Sequence, residues 1–568
     1  MGRYDRSRRT FVKGLAAAGA VAGSGLWPLA SAAQVQSRRA TEALSGTEFD
    51  LRISSTPVNI TGSIRHATTV NGSLPGPTLR WKQGDTVTIR VTNTLDVETS
   101  IHWHGILLPA NMDGVPGLSY HGIHPGETFT YRFTVRQSGT YWYHSHSGFQ
   151  EQLGLYGAIV IEPRDADPAG SDREHVVLLS DWTDENPRRV LAKLKKQSDY
   201  YNFHQRTVGT LFRDIRERGF KATLAERAEW GRMRMSAADL ADVSGETYTY
   251  LINGQAPAAN WTGLFKPGER VRLRFINGSS MSYFDVRIPG VKMTVVAADG
   301  QLVKPVVVDE LRIAVAETFD VIVQPGQQEA LTIFAQSLDR TGYVRGTLAV
   351  REGLTAGVPD LDDRAVLAMA DMGHGGANTA GMNHAGHDMA AMASTQAHPE
   401  SESGNPLVDM QAMSPTSRLD DPGAGLRDNG RRVLTYHDLH SAFSDPDGRE
   451  PARTIELHLT GNMSKFTWSF DGVKSSDAEP IRLKYGERLR VVLVNDTMMT
   501  HPIHLHGMWS DLEDDEGSFH LRKHTIDMPP GSKRSFRVTA NALGRWAFHC
   551  HLLYHMESGM MREVRVEE

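Results

Sequence analysis

Three stretches of this 568-residue chain repeat one pattern. They are Lys82-Gln-Gly-Asp-Thr-Val-Thr-Ile-Arg-Val-Thr-Asn93, Lys266-Pro-Gly-Glu-Arg-Val-Arg-Leu-Arg-Phe-Ile-Asn277 and Lys484-Tyr-Gly-Glu-Arg-Leu-Arg-Val-Val-Leu-Val-Asn495. Each is a basic residue, a glycine turn, an acid, an alternating strand and a closing asparagine. Copies this far apart mark duplicated domains rather than the short stacked units of a solenoid. Near the first copy lie further runs with period-two alternation, Phe129–Val135 and Tyr156–Glu162, bounded by Gly, Pro, Asn and Asp. Short strands separated by turn residues build sandwiches or barrels. The expected fold is all-β, with three related domains over 47–165, 170–352 and 431–568.

Two segments break the β pattern. Residues 183–245 are rich in Arg, Lys, Glu, Ala and Leu, which predicts one or two helices inserted in the second domain. Residues 353–430 are rich in Gly, Ala, Met, His, Asp and Ser without periodicity, which predicts a flexible linker. The N-terminus reads Ser7-Arg8-Arg9-Thr10-Phe11-Val12-Lys13, then an apolar run ending in Ala30-Ser31-Ala32. A basic start, a short apolar stretch and a small-residue cleavage site make a signal peptide over 1–32, and the paired arginines resemble a twin-arginine export signal. The expected location is the periplasm, reached through the twin-arginine export machinery. No other apolar run is long enough to span a bilayer, so no stable membrane span is expected in the mature form. The net charge of −6 argues against a nucleic-acid partner.

The chain holds 24 His and 21 Met but one Cys. One Cys excludes an internal disulfide framework and any multi-cysteine zinc or iron–sulfur site. The histidines concentrate in four clusters: His102-Trp-His104, His144-Ser-His146, His501-Pro-Ile-His504-Leu-His506 and His549-Cys550-His551 continuing to His555 and Met560. In a strand, residues i and i+2 face the same way, so each H-x-H pair aims two imidazoles at one point. Eight such imidazoles exceed the four ligands that close a structural zinc site, and they suit a cluster of several metals. Cys550 faces the other side. With His501, His555 and Met560 it offers a His₂Cys site with a weak axial Met, the donor set of a blue-copper electron-transfer centre.

In these clusters the chain resembles the three-domain multicopper oxidases, and most of all the bacterial copper-resistance protein A family. The resemblance rests on all four signatures, on Asn495-Asp-Thr-Met-Met-Thr-His501, on the export signal, the insert and the Met/His linker. It implies three cupredoxin-like Greek-key β-barrels. It implies four copper ions: a type 1 copper on His501, Cys550, His555 and Met560, a type 2 copper on His102 and His504, and a type 3 pair on His104, His144, His146, His506, His549 and His551. The family also carries two acids that serve proton delivery to O₂. Asp113 matches the first. Glu557 is the candidate for the second, because Met556 stands where some relatives place that acid.

The implied reaction takes electrons from a reductant and reduces O₂ to water. Cu(I) is the expected reductant, since thioethers select it and the linker carries Met369, Met372, Met382, Met389, Met392, Met410 and Met413 beside His374, His384, His387 and His398. Met498, Met499 and Asp496 precede His501 where copper-oxidising relatives dock a substrate copper. Met499 would share a strand face with His501 if that strand is regular. The alternatives are laccase-like oxidation of phenols and non-catalytic copper sequestration in the periplasm. Other periplasmic copper-resistance proteins are the partners the resemblance implies.

Overall fold

In each repeat the glycine makes the turn and the asparagine locks the loop beyond the strand. Gly84, Gly268 and Gly486 have φ of +97°, +84° and +80°, a left-handed backbone that glycine adopts without steric cost. The strands Thr86–Asn93, Val271–Asn277 and Arg488–Asn495 follow, and their closing asparagines are fully buried. A buried amide must find partners, and these donate to loop carbonyls. Asn93 reaches Val97 and Ile123 (2.8 Å each), Asn277 reaches Ser282 (2.8 Å) and Ile313 (3.1 Å), and Asn495 reaches Met499 (2.7 Å) and Met528 (2.8 Å). In the first and third domains the clamped loop leads directly to a histidine cluster.

The computed structural model describes residues 42–203, 208–233, 240–365, 367, 371 and 396–568. The repeat strands occupy equivalent places. Each pairs in parallel with the first long strand of its domain, Glu48–Asn59, Arg173–Trp182 or Arg453–Asn462. Each pairs antiparallel with a later strand, Thr128–Thr134, Thr318–Val323 or Lys533–Thr539. Six sheets result, two in each third of the chain, and their inward faces share a continuous apolar core that includes Trp81, Trp103, Trp142, Trp468 and Trp546. The architecture is all-β and cupredoxin-like. Among the described residues no helix is long and apolar enough to cross a membrane.

The insert differs from the expected one or two helices. Among its described residues it holds three, Pro187–Lys196, Val208–Arg218 and Phe220–Met233. Asn186 caps the first by accepting from the Arg188 N–H, with Pro187 at its first turn. Gly219, with φ of +86°, separates the second from the third.

The linker also departs from expectation. Residues 396–421 fold back as an irregular strap on the third domain, and 423–430 continue against the second, where Arg312 donates to the Ala424 carbonyl (2.9 Å) and Asn429 to Glu310 (2.9 Å). Ala412, Leu419 and Leu426 are buried, Thr416 bridges Ser532, and the Ala412 N–H donates to Asp496 Oδ1 (2.7 Å). Its polar groups bond singly to side chains, local turns and backbone of neighbouring strands rather than in a regular ladder, so no helical or strand period marks it. Met369, Met372, Met382, His384, His387, Met389 and Met392, with His374 and the signal segment 1–32, lie outside the described residues.

Candidate metal centre

Cys550 ends the strand Gly544–Cys550, which runs antiparallel to His501–Leu505 with Ile503 opposite Cys550. His555 follows on the short helix Leu553–Glu557. The Cys550 Sγ lies 3.5 Å from His501 Nδ1 and 4.0 Å from His555 Nδ1, and those two nitrogens are 3.1 Å apart. Bonds of about 2.0 Å to nitrogen and 2.3 Å to sulfur place ligand atoms roughly 3.3–3.8 Å apart around one ion. Met560 is buried, and its carbonyl accepts from the Cys550 N–H (3.1 Å). The outer nitrogens are already engaged: His501 Nε2 with Thr497 Oγ1 (2.7 Å) and His555 Nε2 with Asp242 Oδ2 (2.8 Å). That leaves both Nδ1 atoms as lone-pair donors facing the thiol. Trp468 stacks on His555 at 3.9 Å and holds its plane.

On the other side of Cys550, two domains meet. His102 pairs with His144 across strands of the first domain, and His504 with His549 across strands of the third. His102 stacks on His506 (3.9 Å) and His104 on His504 (3.8 Å). His506 Nε2 and His549 Nε2 are 3.1 Å apart, and His551 Nε2 and His144 Nε2 are 3.3 Å apart. The trios His102–His504–His506, His102–His104–His144 and His146–His506–His549 each have ligand atoms within 4.8 Å of one another.

The rings are oriented from behind. His506 Nδ1 meets Asp113 Oδ2 (2.8 Å), His102 Nδ1 meets the Asp113 carbonyl (2.8 Å), and His144 Nδ1 meets Glu151 Oε2 (2.7 Å). His504 Nδ1 meets the His524 carbonyl (2.5 Å), and His549 Nδ1 meets that of Cys550 (2.9 Å). His104 is reversed: its Nε2 faces Thr525 Oγ1 (3.3 Å) and His524 Nδ1 (3.2 Å). The remaining nitrogens, Nε2 of His102, His146 and His504 and Nδ1 of His104 and His551, are buried without a hydrogen-bond partner. An unsatisfied buried polar atom costs about 1–3 kcal/mol, so the cluster fits metal ions better than it fits itself. Burial holds His104, His144, His146, His501, His504, His506, His551 and His555 well below the usual imidazole pKa and lowers His549 to about 4. It pushes the Cys550 thiol well up. Neutral imidazoles are ready donors, and a bound cation would displace the thiol proton. Imidazoles with one thiolate are a copper donor set.

Residues 52–166, 173–353 and 448–568 match the multicopper oxidase family. The chain belongs to that family. This oxidase is 64% identical to copper resistance protein A of Escherichia coli over 602 aligned residues, covering 99% of each chain. It is 30% identical to multicopper oxidase MmcO of Mycobacterium tuberculosis, covering 98% of this chain and 95% of that one. Its fold resembles Fet3p, a multicopper oxidase that functions in iron import (TM-score 0.66, 20% identity, covering 92% and 91%). It also resembles the laccase of Botrytis aclada (TM-score 0.62, 21% identity, covering 93% and 89%). The oxidase is thus a copper-dependent oxidoreductase.

The acids and docking residues read from sequence fall in unequal places. Asp113 is buried against two cluster histidines, whereas Glu557 is exposed on the short helix. The carboxylate that touches His144 is instead Glu151, which sequence reasoning missed, as it missed Asp242 and His524. Met499 lies in the bend before the strand that starts at His501, not on it, and its side chain belongs to the core. The bend arises because Asn495 holds the Met499 carbonyl. Asp496 is drawn away toward His458.

Asp242 gives a direct test. Asp242→Leu leaves the His555 Nε2–H buried without an acceptor, and loss of such an outer partner typically costs about 10–100-fold in metal affinity. The oxidase variant should therefore lose copper from the His501–Cys550–His555 pocket to a competing chelator at correspondingly lower concentration, while Asp242→Asn, which still accepts, loses less. Equal retention by all three proteins would remove Asp242 from this role.

Proposed function

We propose that this oxidase is an exported copper-resistance enzyme that oxidises four Cu(I) to four Cu(II) while O₂ and four protons become two waters. Export is supported by the twin-arginine pattern Ser7–Lys13, and the copper role by the name of the relative at 64% identity. Four coppers would supply one-electron uptake and four-electron O₂ reduction: a type 1 ion on His501, Cys550, His555 and Met560, a type 2 ion on His102 and His504, and a type 3 pair on the other six cluster histidines. The chain does the rest. His549 and His551 flank Cys550, so a covalent path of one residue joins the two pockets. Asp113 and Glu151 hold ligand rings from behind. Burial of the histidines keeps bulk water out.

One observation favours Cu(I) over a phenol. Met498, three residues before His501, packs in a small cluster with Leu367, Met410 and Met463. Three thioethers beside the electron-entry loop are a soft ligand set, and Cu(I) is the ion they select. This packing supports Met498, with Met410 and Met463 beside it, as the docking residues for Cu(I).

Leucine keeps methionine's volume at small cost in stability. The triple variant Met410→Leu/Met463→Leu/Met498→Leu should lower kcat/KM for Cu(I) by at least about tenfold, the worth of roughly 1.4 kcal/mol of transition-state binding, and leave phenol oxidation unchanged. Equal losses on both substrates would end the selective-docking idea. Deleting 369–395, which spares the packed strap, should likewise lower Cu(I) oxidation more than phenol oxidation.

A further inference from the structure

Apart from the histidines already described, two imidazoles and two carboxylates meet where the strap 396–413 covers the strand Arg453–Asn462. Asp496 Oδ2 lies 2.6 Å from His458 Nδ1 and 3.2 Å from His398 Nδ1. Glu402 Oε2 lies 3.2 Å from His398 Nδ1, and Glu402 Oε1 lies 3.5 Å from His458 Nδ1. The Glu402 and Asp496 side chains are fully buried, His458 is 1% exposed, and His398 keeps 11% at the rim.

The outer nitrogens fix the tautomers. His398 Nε2 faces the Ala412 carbonyl (3.2 Å) and His458 Nε2 faces Glu456 Oε1 (3.3 Å). Only an N–H can face such acceptors, so the lone pair of each neutral imidazole sits on Nδ1, aimed at the carboxylates. Imidazoles backed in this way by a carbonyl or carboxylate are the usual form of metal-ligating histidine. The carboxylates are also held from outside, by Gln411 Nε2 on Glu402 Oε2 (2.9 Å) and by the Ala412 N–H on Asp496 Oδ1 (2.7 Å). Glu402 Oε1 is buried, has no hydrogen-bond partner and points into the same gap. Without a metal, a proton on His458 Nδ1 bridges to Asp496, whose contact raises the His458 pKa against its burial; a divalent cation in the gap would take both lone pairs and both anions at once.

We propose that His398, Glu402, His458 and Asp496 form a further metal site, for a borderline divalent cation of the Zn(II) or Cu(II) kind. Four bonds of about 2.0–2.2 Å in tetrahedral array put ligand atoms roughly 3.3–3.5 Å apart. Of the four histidine-to-carboxylate contacts, three already lie at 3.2–3.5 Å, with Glu402 offering one oxygen to each imidazole, and the Asp496–His458 contact must widen. The set has no sulfur, so it disfavours Cu(I), in contrast to the Met410–Met463–Met498 cluster. The site does not depend on which reductant the oxidase uses.

Crystals of the copper-replete oxidase soaked in Zn²⁺, and separately in Cu²⁺, should show anomalous density among these four side chains above the matching absorption edge. In equilibrium dialysis with the same ions, His398→Gln/Glu402→Gln should bind one equivalent fewer than the parent. The edge at which density appears tells Zn(II) from Cu(II). Absence of density at saturating metal, or equal stoichiometry in parent and variant, would overturn the site and leave a proton-bridged ion-pair network. Should the double variant fail to fold, the crystals of the parent still decide.

Discussion

Cys550→Ser is expected to abolish the intense blue absorption of the copper-loaded oxidase and to reduce its turnover to background. A hydroxyl replaces the one soft anionic ligand with a group that binds copper weakly at neutral pH. The same atom is the start of the covalent path through His549 and His551. The side chain is fully buried and serine is close to isosteric, so the fold should survive. The histidine cluster, whose rings are held by Asp113, Glu151 and backbone carbonyls rather than by the thiol, should still load copper. Absorption, copper content and oxygen uptake measured together separate these effects. A serine variant that stays blue and turns over normally would refute the assignment of Cys550.

The second large effect is expected at Asp113. Its Oδ2 holds His506 Nδ1 at 2.8 Å, and its Oδ1 lies 3.3 Å from His102 Nδ1. Asp113→Ala leaves His506 without its anchor, while His102 keeps the carbonyl of residue 113, and copper affinity of the cluster should fall by about 10–100-fold, the usual consequence of losing an outer partner. Asp113→Asn keeps the shape and one acceptor oxygen but has no acid proton. If Asp113 also delivers protons to O₂, the asparagine variant should bind copper normally and turn over about 10²–10⁴-fold more slowly, the range of general acid–base contributions. Normal turnover with an intact copper spectrum would reduce Asp113 to a positioning residue.

The parts of this protein that could be read from sequence are those written in local spacing. In His102-Trp-His104 the strand fixes a direction without knowledge of the rest of the chain; His146, His506 and His551 lie just past their strand ends, yet the members of these clusters still converge. The three glycine–strand–asparagine units revealed the domain repeat for the same reason. What sequence could not show are contacts between distant elements. Asp242 meets His555 across 313 positions, and no local rule links a residue at the end of the helical insert to a histidine near the C-terminus. Glu151 and His524 were hidden in the same way. The strap was misread because aperiodic, polar sequence can still be packed when its backbone groups find partners in local turns, neighbouring strands and side chains. Met499 does not share a strand face with His501, because Asn495 enforces a bend where a regular strand was the condition.

The histidine cluster draws from residues 102–146 and 501–551, which gives the metal a second role, that of a cross-link. Ions bound there would close a loop of about 350 residues. In the chain-entropy treatment of cross-links, closing so long a loop restricts the unfolded ensemble by roughly 6 kcal/mol, more than the net worth of many single interactions in a core. Copper loading would therefore fasten the first domain to the third and make their unfolding one event. The apo-oxidase should open at that seam first, with hydrogen exchange fastest in the strands His102–His104 and His501–Leu505.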